Sequence, residues 1–192
     1  PLWSRGLGDV YKRQAVDAAV AMGFALAVAL PNAGNIGGGG FMVVHDAKSG
    51  KNIALDFREV APSKATRDMY VGADGKVIDG KSLYTHYAVG VPGTVAGMEH
   101  ALKKWGSLPL STVIAPAAKL ADKGFTVSET LAKILEQEKK NMGQWPATQA
   151  IFWRNGEPLK RGDRLVQKDL AQSLRLIGQQ GSKVFYLSLI HI

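Results

Sequence analysis

The residues best suited to chemistry in this sequence lie between Pro31 and Arg58. Four consecutive glycines, Gly37 to Gly40, precede one β-patterned run, and Arg58 stands at the end of the next. Glycine loses more conformational freedom on folding than any other residue, so such a run is expected where φ is positive or where another group approaches too closely for a Cβ. An arginine beside this loop is suited to binding a carboxylate, because the guanidinium fork matches the two carboxylate oxygens.

Two other interpretations of this stretch start from the same pattern. A glycine-rich loop is typical of phosphate sites, but those run strand, loop, helix, whereas the order here is helix, loop, strand. Neither the GxGxxG nor the GxxxxGK[ST] spacing is present, which argues against a nucleotide site. For Arg58, the alternative is a surface ion pair with Asp56 or Glu59, and the pattern by itself favours that ion pair.

The elements that position the loop can be predicted from hydrophobic periodicity. An alanine-rich apolar helix is expected over residues 15–30, followed by strands at residues 41–44 and 52–57 that a turn at residues 46–50 connects. Period-2 alternation in the second strand places Ile53, Leu55 and Phe57 on one face and Ala54, Asp56 and Arg58 on the other.

The rest of the chain is mostly helical in pattern. Helices are predicted at residues 94–105, ending at Gly106, at residues 110–123, from an N-cap at Ser128 to about Lys140, and around Leu170, Leu174 and Ile177. Pro116 is expected to kink the second of these helices or to begin a new one. Residues 141–149 are predicted to form a loop and residues 151–153 a short strand entering an Asn155-Gly156 turn. Trp105, Trp145 and Trp153 are expected to be packing residues.

Four motifs in order give the sequence a recognisable likeness: AVDAAVA at residues 15–21, PNAGNIGGGGFM at 31–42, DFREVAP at 56–62 and GVPGTVAG at 90–97. Together they resemble the γ-glutamyltransferase (γ-glutamyltranspeptidase, glutathione hydrolase) family. The likeness continues through IFW, GEPL and GDRLVQ and covers residues 15–186, which resemble the front part of that family's large subunit.

The resemblance implies an α/β fold of the N-terminal-nucleophile hydrolase type, an αββα sandwich that is incomplete in this chain. Residues 15–186 are then a partial large-subunit domain. Residues 1–14 are expected to be a foreign or disordered tail, because they show neither a periodic apolar face nor a match to the family. Residues 187–192 are expected to be a foreign tail, because they follow the family-like segment abruptly.

The resemblance also implies the chemistry. Members cleave their own precursor, and the new N-terminal threonine of the small subunit attacks the γ-glutamyl amide to form an acyl-enzyme. Arg58 matches the family arginine that binds the substrate's α-carboxylate, and it is the one substrate-binding residue expected here. Thr85-His86 is similar to part of the processing-site motif, but it leads directly into the large-subunit motif at residues 90–97. No catalytic nucleophile is therefore expected in this chain, which alone is expected to be inactive.

The expected function is transfer or hydrolysis of the γ-glutamyl group of glutathione and related γ-glutamyl amides. The implied partners are this donor, an amino-acid, peptide or water acceptor, and a small subunit cut from the same precursor. One alternative is a β-lactam acylase relative on the same scaffold, and another is a non-enzymatic ligand-binding remnant.

Composition excludes several other classes. The net charge of +8 and pI near 9.7 come from scattered single bases, so no nucleic-acid site is expected. The sequence has no cysteine, and its four histidines stand far apart, so neither a metal site nor a cofactor is expected.

A basic segment with Arg5, Lys12 and Arg13 before the apolar residues 15–30 imitates a secretory signal peptide. Asp17 inside the apolar stretch argues against this, and the stretch is shorter than the roughly 20 residues of a membrane span. A core helix is the better interpretation. A periplasmic or secreted location is implied by the resemblance, with any signal peptide lying upstream.

Overall fold

The computed structural model describes residues 2–189, with side chains described for residues 15–187. The larger helices are α1 (Leu2–Ala29), α3 (Thr94–Trp105), α4 (Leu110–Lys123), α5 (Glu129–Gln137), α7 (Pro146–Phe152) and α8 (Lys168–Gln180), with short helices α2 (Lys81–Tyr84), α6 (Lys139–Met142) and α9 (Ser182–Val184). The strands are β1 (Phe41–Asp46), β2 (Lys51–Asp56), β3 (Phe125–Thr126), β4 (Trp153–Arg154), β5 (Glu157–Pro158) and β6 (Arg164–Leu165). A 3₁₀ turn spans His86–Ala88, and a π-helical turn spans Phe185–Leu189.

Helix α1 is longer than the sequence pattern predicts. It begins at Leu2 rather than near residue 15, so the backbone of residues 2–14 is helical. A helix, once nucleated, extends readily because each added residue gains one hydrogen bond. It ends at Ala29, since the residue before Pro31 is disfavoured in the α conformation. The foreign or disordered tail at residues 1–14 and the foreign tail at residues 187–192 stay predictions, and residues 1 and 190–192 lie outside the described part.

Strands β1 and β2 form an antiparallel hairpin whose register pairs Phe41 with Asp56 and Asp46 with Lys51. Both predicted strands are present, with bounds shifted by one or two residues, and Gly50 closes the turn at φ 67°. The predicted alternation is confirmed: Ile53, Leu55 and Phe57 are half-buried, and Ala54, Asp56 and Arg58 are exposed. One face of the hairpin packs on the helices, while Phe41 and Val43 on the other are 67% and 75% exposed.

The main core lies between α1, α3, α4 and α8, and helices α3 and α4 have the predicted bounds. Helix α4 runs through Pro116, so the expectation of a new helix start there is wrong. Pro116 has no amide hydrogen, so the Thr112 carbonyl loses its intrahelical donor. Both residues lie on the exposed side of α4, where water can hydrogen-bond to that carbonyl. The buried residues on the opposite side hold the helix together: Val113, Ile114, Ala117, Ala118 and Ala121.

A smaller core lies under residues 125–165, formed by Val127, Leu131, Leu135, Leu159 and Leu165. Ser128 caps α5 as predicted, accepting a hydrogen bond from the Leu131 amide at 3.1 Å, but α5 ends at Gln137. The predicted loop and strand at residues 141–153 are largely wrong, because α7 occupies Pro146–Phe152. Pro146 stands at the start of that helix, where its fixed φ favours the first turn and no amide is needed.

The predicted Asn155-Gly156 turn is confirmed. The two residues have φ of 54° and 80°, and the turn joins the two-residue strands β4 and β5. Trp105 packs against the main core as expected. Trp145 makes an edge contact with the His86 ring at 5.0 Å between ring centroids, which is a packing role as well.

Candidate functional site

The glycine-rich loop is held by a polar network at its base. The Asn35 side-chain oxygen accepts hydrogen bonds from the Gly38 amide at 2.9 Å and from the Thr94 hydroxyl at 2.6 Å. The Gly38 carbonyl in turn accepts from the amides of Gly93 at 2.7 Å and Thr94 at 3.0 Å. The loop is thereby attached to the first turn of α3.

Close approach, not positive φ, explains most of the glycine run. None of Gly37 to Gly40 has φ in the left-handed region. A Cβ on Gly39 would lie 2.5 Å from the Glu59 amide nitrogen and 2.6 Å from the Arg58 Cα, and one on Gly40 would lie 2.8 Å from the Phe57 ring. The glycine run therefore allows the loop to lie directly against the end of β2.

Two glycines of the GVPGTVAG motif at residues 90–97 complete this packing. A Cβ on Gly93 would fall on the Phe57 carbonyl oxygen, and one on Gly97 would fall on the Phe57 side chain. Gly37 differs, because a Cβ there would meet no described atom within 4 Å. Both glycine motifs therefore pack directly against residues 57–59, which follow β2, and Gly37 faces open space.

Arg58 lies two residues after the end of β2 and, as the sequence predicts, beside the glycine loop. Its side chain is 70% exposed, and its Nε lies 4.0 Å from Glu59 Oε1, the outer limit of an ion pair. Asp56 accepts a hydrogen bond from the Arg58 backbone amide at 2.9 Å. The ion-pair alternative is thus realised with Glu59 in a long, exposed form that contributes little and leaves the guanidinium accessible.

Arg154 presents the contrasting arrangement. Its Nη1 lies 3.3 Å from Asp163 Oδ1, and its Nη2 donates to the Arg164 carbonyl at 3.3 Å, so its guanidinium links β4 to β6. Arg67 lies in an exposed loop, 3.8 Å from the carboxylate of Asp68. Of these three arginines, Arg58 is the one that combines an accessible guanidinium with a position beside the glycine loop.

Thr85 has a local structural role. Its hydroxyl donates to the Lys81 carbonyl at 2.7 Å and accepts from the Tyr87 amide at 3.2 Å, which caps the 3₁₀ turn at His86–Ala88. A nucleophile of the N-terminal kind needs a free α-amino group beside its hydroxyl. Thr85 is an internal residue, and its hydroxyl is already hydrogen-bonded to neighbouring backbone groups. That this chain holds no catalytic nucleophile stays a prediction.

Asp17 is a buried acid whose role the sequence does not reveal. It is buried in α1, and its carboxylate accepts hydrogen bonds from the Ser107 hydroxyl at 2.5 Å and from the amides of Ser107 and Leu108 at 2.9 and 3.2 Å. The carboxylate therefore holds the loop between α3 and α4. An acidic residue inside an apolar helix was the available signal, but its partners are distant in sequence.

Helix α3, which anchors the glycine loop, is also linked to Ser182 through the carboxylate of Glu99. Partial burial on its own raises the pKa of the Glu99 carboxyl. Hydrogen bonds from Ser182 and the ion pair with Lys103 at 2.9 Å outweigh that effect and leave the pKa below its ordinary value. The ionised carboxylate therefore links α3 to the start of α9.

Two further observations apply to the described part of the chain. Among these residues no three His, Cys, Asp or Glu side chains lie close enough together to hold a metal ion. No described helix combines the length and apolar character needed to cross a membrane.

Comparison with known proteins gives consistent matches. A family model described as Gamma-glutamyltranspeptidase matches residues 13–189. The chain is 51% identical over 181 residues to the glutathione hydrolase proenzyme of Escherichia coli (strain K12), covering 93% of this chain and 31% of that protein. It is 38% identical over 178 residues to the acylase ACY 1 proenzyme of Pseudomonas sp. (strain V22), covering 90% of this chain and 32% of that protein.

A solved structure shows the same fold. The crystal structure of Helicobacter pylori gamma-glutamyltranspeptidase is similar with a TM-score of 0.87 and 48% identity, covering 90% of this chain and 49% of that one. The predicted α/β fold of the N-terminal-nucleophile hydrolase type is thereby confirmed, and the described residues form part of it. The chain spans about a third of the length of the curated relatives it matches. On the family match and these similarities, this chain belongs to the gamma-glutamyltranspeptidase family.

Proposed function

We propose that this chain is part of an enzyme that transfers or hydrolyses the γ-glutamyl group of glutathione and related γ-glutamyl amides. The relative from Escherichia coli is a glutathione hydrolase proenzyme, and its match extends over 93% of this chain. Within such an enzyme, this chain supplies the group that binds the donor's α-carboxylate.

The observation that carries the proposal is the accessibility of Arg58. Its guanidinium is 70% exposed, its ion pair with Glu59 is long, and its backbone is fixed by Gly39 and by the pairing of Gly40 with Phe57. A planar fork on a fixed backbone binds a carboxylate through two parallel hydrogen bonds, which sets both the position and the orientation of the donor.

The proposed reaction divides its tasks between two subunits. An N-terminal threonine of the small subunit attacks the γ-carbonyl carbon, its α-amino group takes the hydroxyl proton, and the amine leaves with a proton. The resulting γ-glutamyl ester is then cleaved by water, an amino acid or a peptide. Arg58 acts before and during this chemistry by holding the γ-carbonyl at the nucleophile, and holding reactants in place accounts for a large part of many rate enhancements.

The partners follow from this division. They are the γ-glutamyl donor, its acceptor, and a small subunit cut from the same precursor, and no cofactor takes part in the proposed steps. Without that subunit the chain has no nucleophile, so by itself it is inactive. The proposed location is periplasmic or secreted.

Two alternatives remain distinguishable. The acylase ACY 1 proenzyme is also similar, but at 38% identity against 51% for the glutathione hydrolase, which favours the γ-glutamyl reaction. An acylase would accept a β-lactam acyl donor in place of the γ-glutamyl one. A non-enzymatic ligand binder would turn over neither donor, even when joined to a small subunit.

The test uses a chimaeric proenzyme in which residues 15–186 of this chain replace the matching residues of the Escherichia coli relative. With a chromogenic γ-glutamyl anilide, Arg58→Lys keeps the charge but loses the fork, so KM is expected to rise by roughly 10- to 150-fold, from about 1.5–3 kcal/mol for a charged hydrogen bond. Self-cleavage, which does not use the donor, is expected to survive.

The matched control is Arg154→Lys. It makes the same substitution at an arginine that links two strands. Its KM is expected to stay within about twofold of the parent. A parental KM for Arg58→Lys would contradict the proposed role of Arg58. Preferential turnover of a β-lactam acyl donor by the parent chimaera would support the acylase alternative.

A further inference from the structure

Asn35 and Thr94 form a polar pair beneath the glycine loop that the proposed reaction does not itself use. Thr94 is 4% exposed and is the first residue of α3, and Asn35 lies 59 positions earlier in the chain. A buried threonine at a helix start commonly caps its own helix. Here the hydroxyl donates to Asn35 instead, at 2.6 Å.

The pair fixes both backbone polar groups of Gly38. The Gly38 amide donates to the Asn35 side chain at 2.9 Å, and the Gly38 carbonyl accepts from the Thr94 amide at 3.0 Å. Since Asn35 and Thr94 are also bonded to each other, the three residues form a closed ring of hydrogen bonds. Gly38 has little freedom to move within such a ring.

The fixed loop then bears directly on the backbone of Arg58. Gly39 follows Gly38 and packs directly against the backbone of Arg58 and Glu59, which leaves no room for a Cβ. Gly40 exchanges two backbone hydrogen bonds with Phe57, at 3.0 and 3.3 Å. A shift of Gly38 therefore moves the backbone from which the Arg58 guanidinium projects.

We propose that Asn35 and Thr94 are positioning residues that set the direction of the Arg58 guanidinium toward the α-carboxylate of an amino-acid-like donor. This inference rests on the proposed function. It assigns the pair a role in donor affinity, whereas a purely structural pair would affect only the stability of the fold.

The first test uses the chain itself. Thr94→Val removes the hydroxyl and keeps the shape, so the amide resonances of Gly38, Arg58 and Glu59 and the Arg58 Nε–H resonance are expected to shift. Thr112→Val, at an exposed position of α4, is the matched control and is expected to leave these resonances in place. An unchanged Arg58 in the Thr94→Val spectrum would overturn the inference.

The second test uses the chimaeric proenzyme and the γ-glutamyl anilide. Thr94→Val is expected to raise KM about 5- to 10-fold with kcat changed less than about twofold, because one neutral hydrogen bond is lost. Thr94→Ser restores the hydroxyl and is expected to return KM to within about twofold of the parent. Asn35→Asp keeps the accepting oxygen and is expected to have a smaller effect than Asn35→Ala.

A double variant separates this inference from the proposed function. If Thr94 acts through the guanidinium fork, Thr94→Val is expected to change KM less than about twofold in the Arg58→Lys background. The same 5- to 10-fold rise there, or a parental KM for Thr94→Val alone, would overturn the positioning role while leaving Arg58 as the donor-binding residue. A parental KM for Arg58→Lys would overturn both.

Discussion

Two arginines at the ends of short strands have opposite surroundings. Arg58 follows β2 with its guanidinium 70% exposed and 4.0 Å from a carboxylate oxygen, whereas Arg154 is 54% exposed and bonded to Asp163 and to the Arg164 carbonyl. After Arg154, the tight Asn155-Gly156 turn brings β5 back against β4, and the chain then continues into β6, which pairs with β3. After Arg58, the chain continues past the glycine loop. An arginine with partners in its own fold serves as a link, and one without close partners is available to a ligand.

The largest effect on the free energy of unfolding is expected where the two glycine motifs pack against residues 57–59. Gly93→Ala places a methyl group on the Phe57 carbonyl oxygen, so the backbone beside Arg58 must move, and the free energy of unfolding is expected to fall by about 3 kcal/mol. Gly37→Ala meets no described atom, has no positive φ, and is expected to change stability by less than about 1 kcal/mol. Urea unfolding of both variants measures the difference. Equal losses would show that close packing does not explain the run.

The second effect concerns the link made by Arg154. Arg154→Ala removes contacts to Asp163 and to the Arg164 carbonyl, and is expected to lower the free energy of unfolding by about 1 kcal/mol. Arg58→Ala removes a long, exposed ion pair and is expected to stay within about 0.5 kcal/mol of the parent. Thermal or urea unfolding of the two variants measures both losses. A larger loss for Arg58→Ala than for Arg154→Ala would contradict the contrast between the two arginines.

These contrasts depend on contacts that a sequence does not display. Helices α3 and α4 could be predicted to the residue, because an apolar stripe is bounded in each case by Gly106 or Gly124. The position of Arg58 beside the glycine loop was predictable as well. Its accessibility, the bond between Asn35 and Thr94, and the Asp17 contacts depend on residues far apart in the chain. Helix α7 is not predictable from the pattern, because Pro146 is common both in loops and at the first position of a helix.

A smaller effect is expected from pH through Glu99, whose pKa is held below its ordinary value of 4.5. A carboxylate with a lowered folded-state pKa adds stability above its unfolded pKa, and this stability disappears as pH falls through the folded value. Glu99→Gln is therefore expected to reduce stability by a few tenths of a kcal/mol near pH 7, with the difference shrinking below about pH 4.5. Unfolding curves between pH 3 and 7 test this, and a difference that grew in acid would contradict it.

The smallest effect is expected from trimming the chain to residues 15–186. If residues 1–14 and 187–192 are foreign to the domain, the melting temperature is expected to change by less than about 2 °C and the protease-resistant core to stay the same. Because α1 begins at Leu2, a marked fall would show that its first turns stabilise the domain.

The central claim is that Arg58 binds the donor's α-carboxylate. The most direct test removes the Arg58 guanidinium, the donor's α-carboxylate, and then both together. In the chimaeric proenzyme, kcat/KM is measured for the parent and for Arg58→Ala, each with a γ-glutamyl anilide and with the same donor carrying an amide in place of its α-carboxylate. The two changes are expected to be strongly non-additive, with a coupling of about 1.5–3 kcal/mol, because each removes the same interaction. Arg58→Ala would then slow the natural donor by at least 10-fold while changing the amide donor little. An equal loss with both donors would contradict the claim.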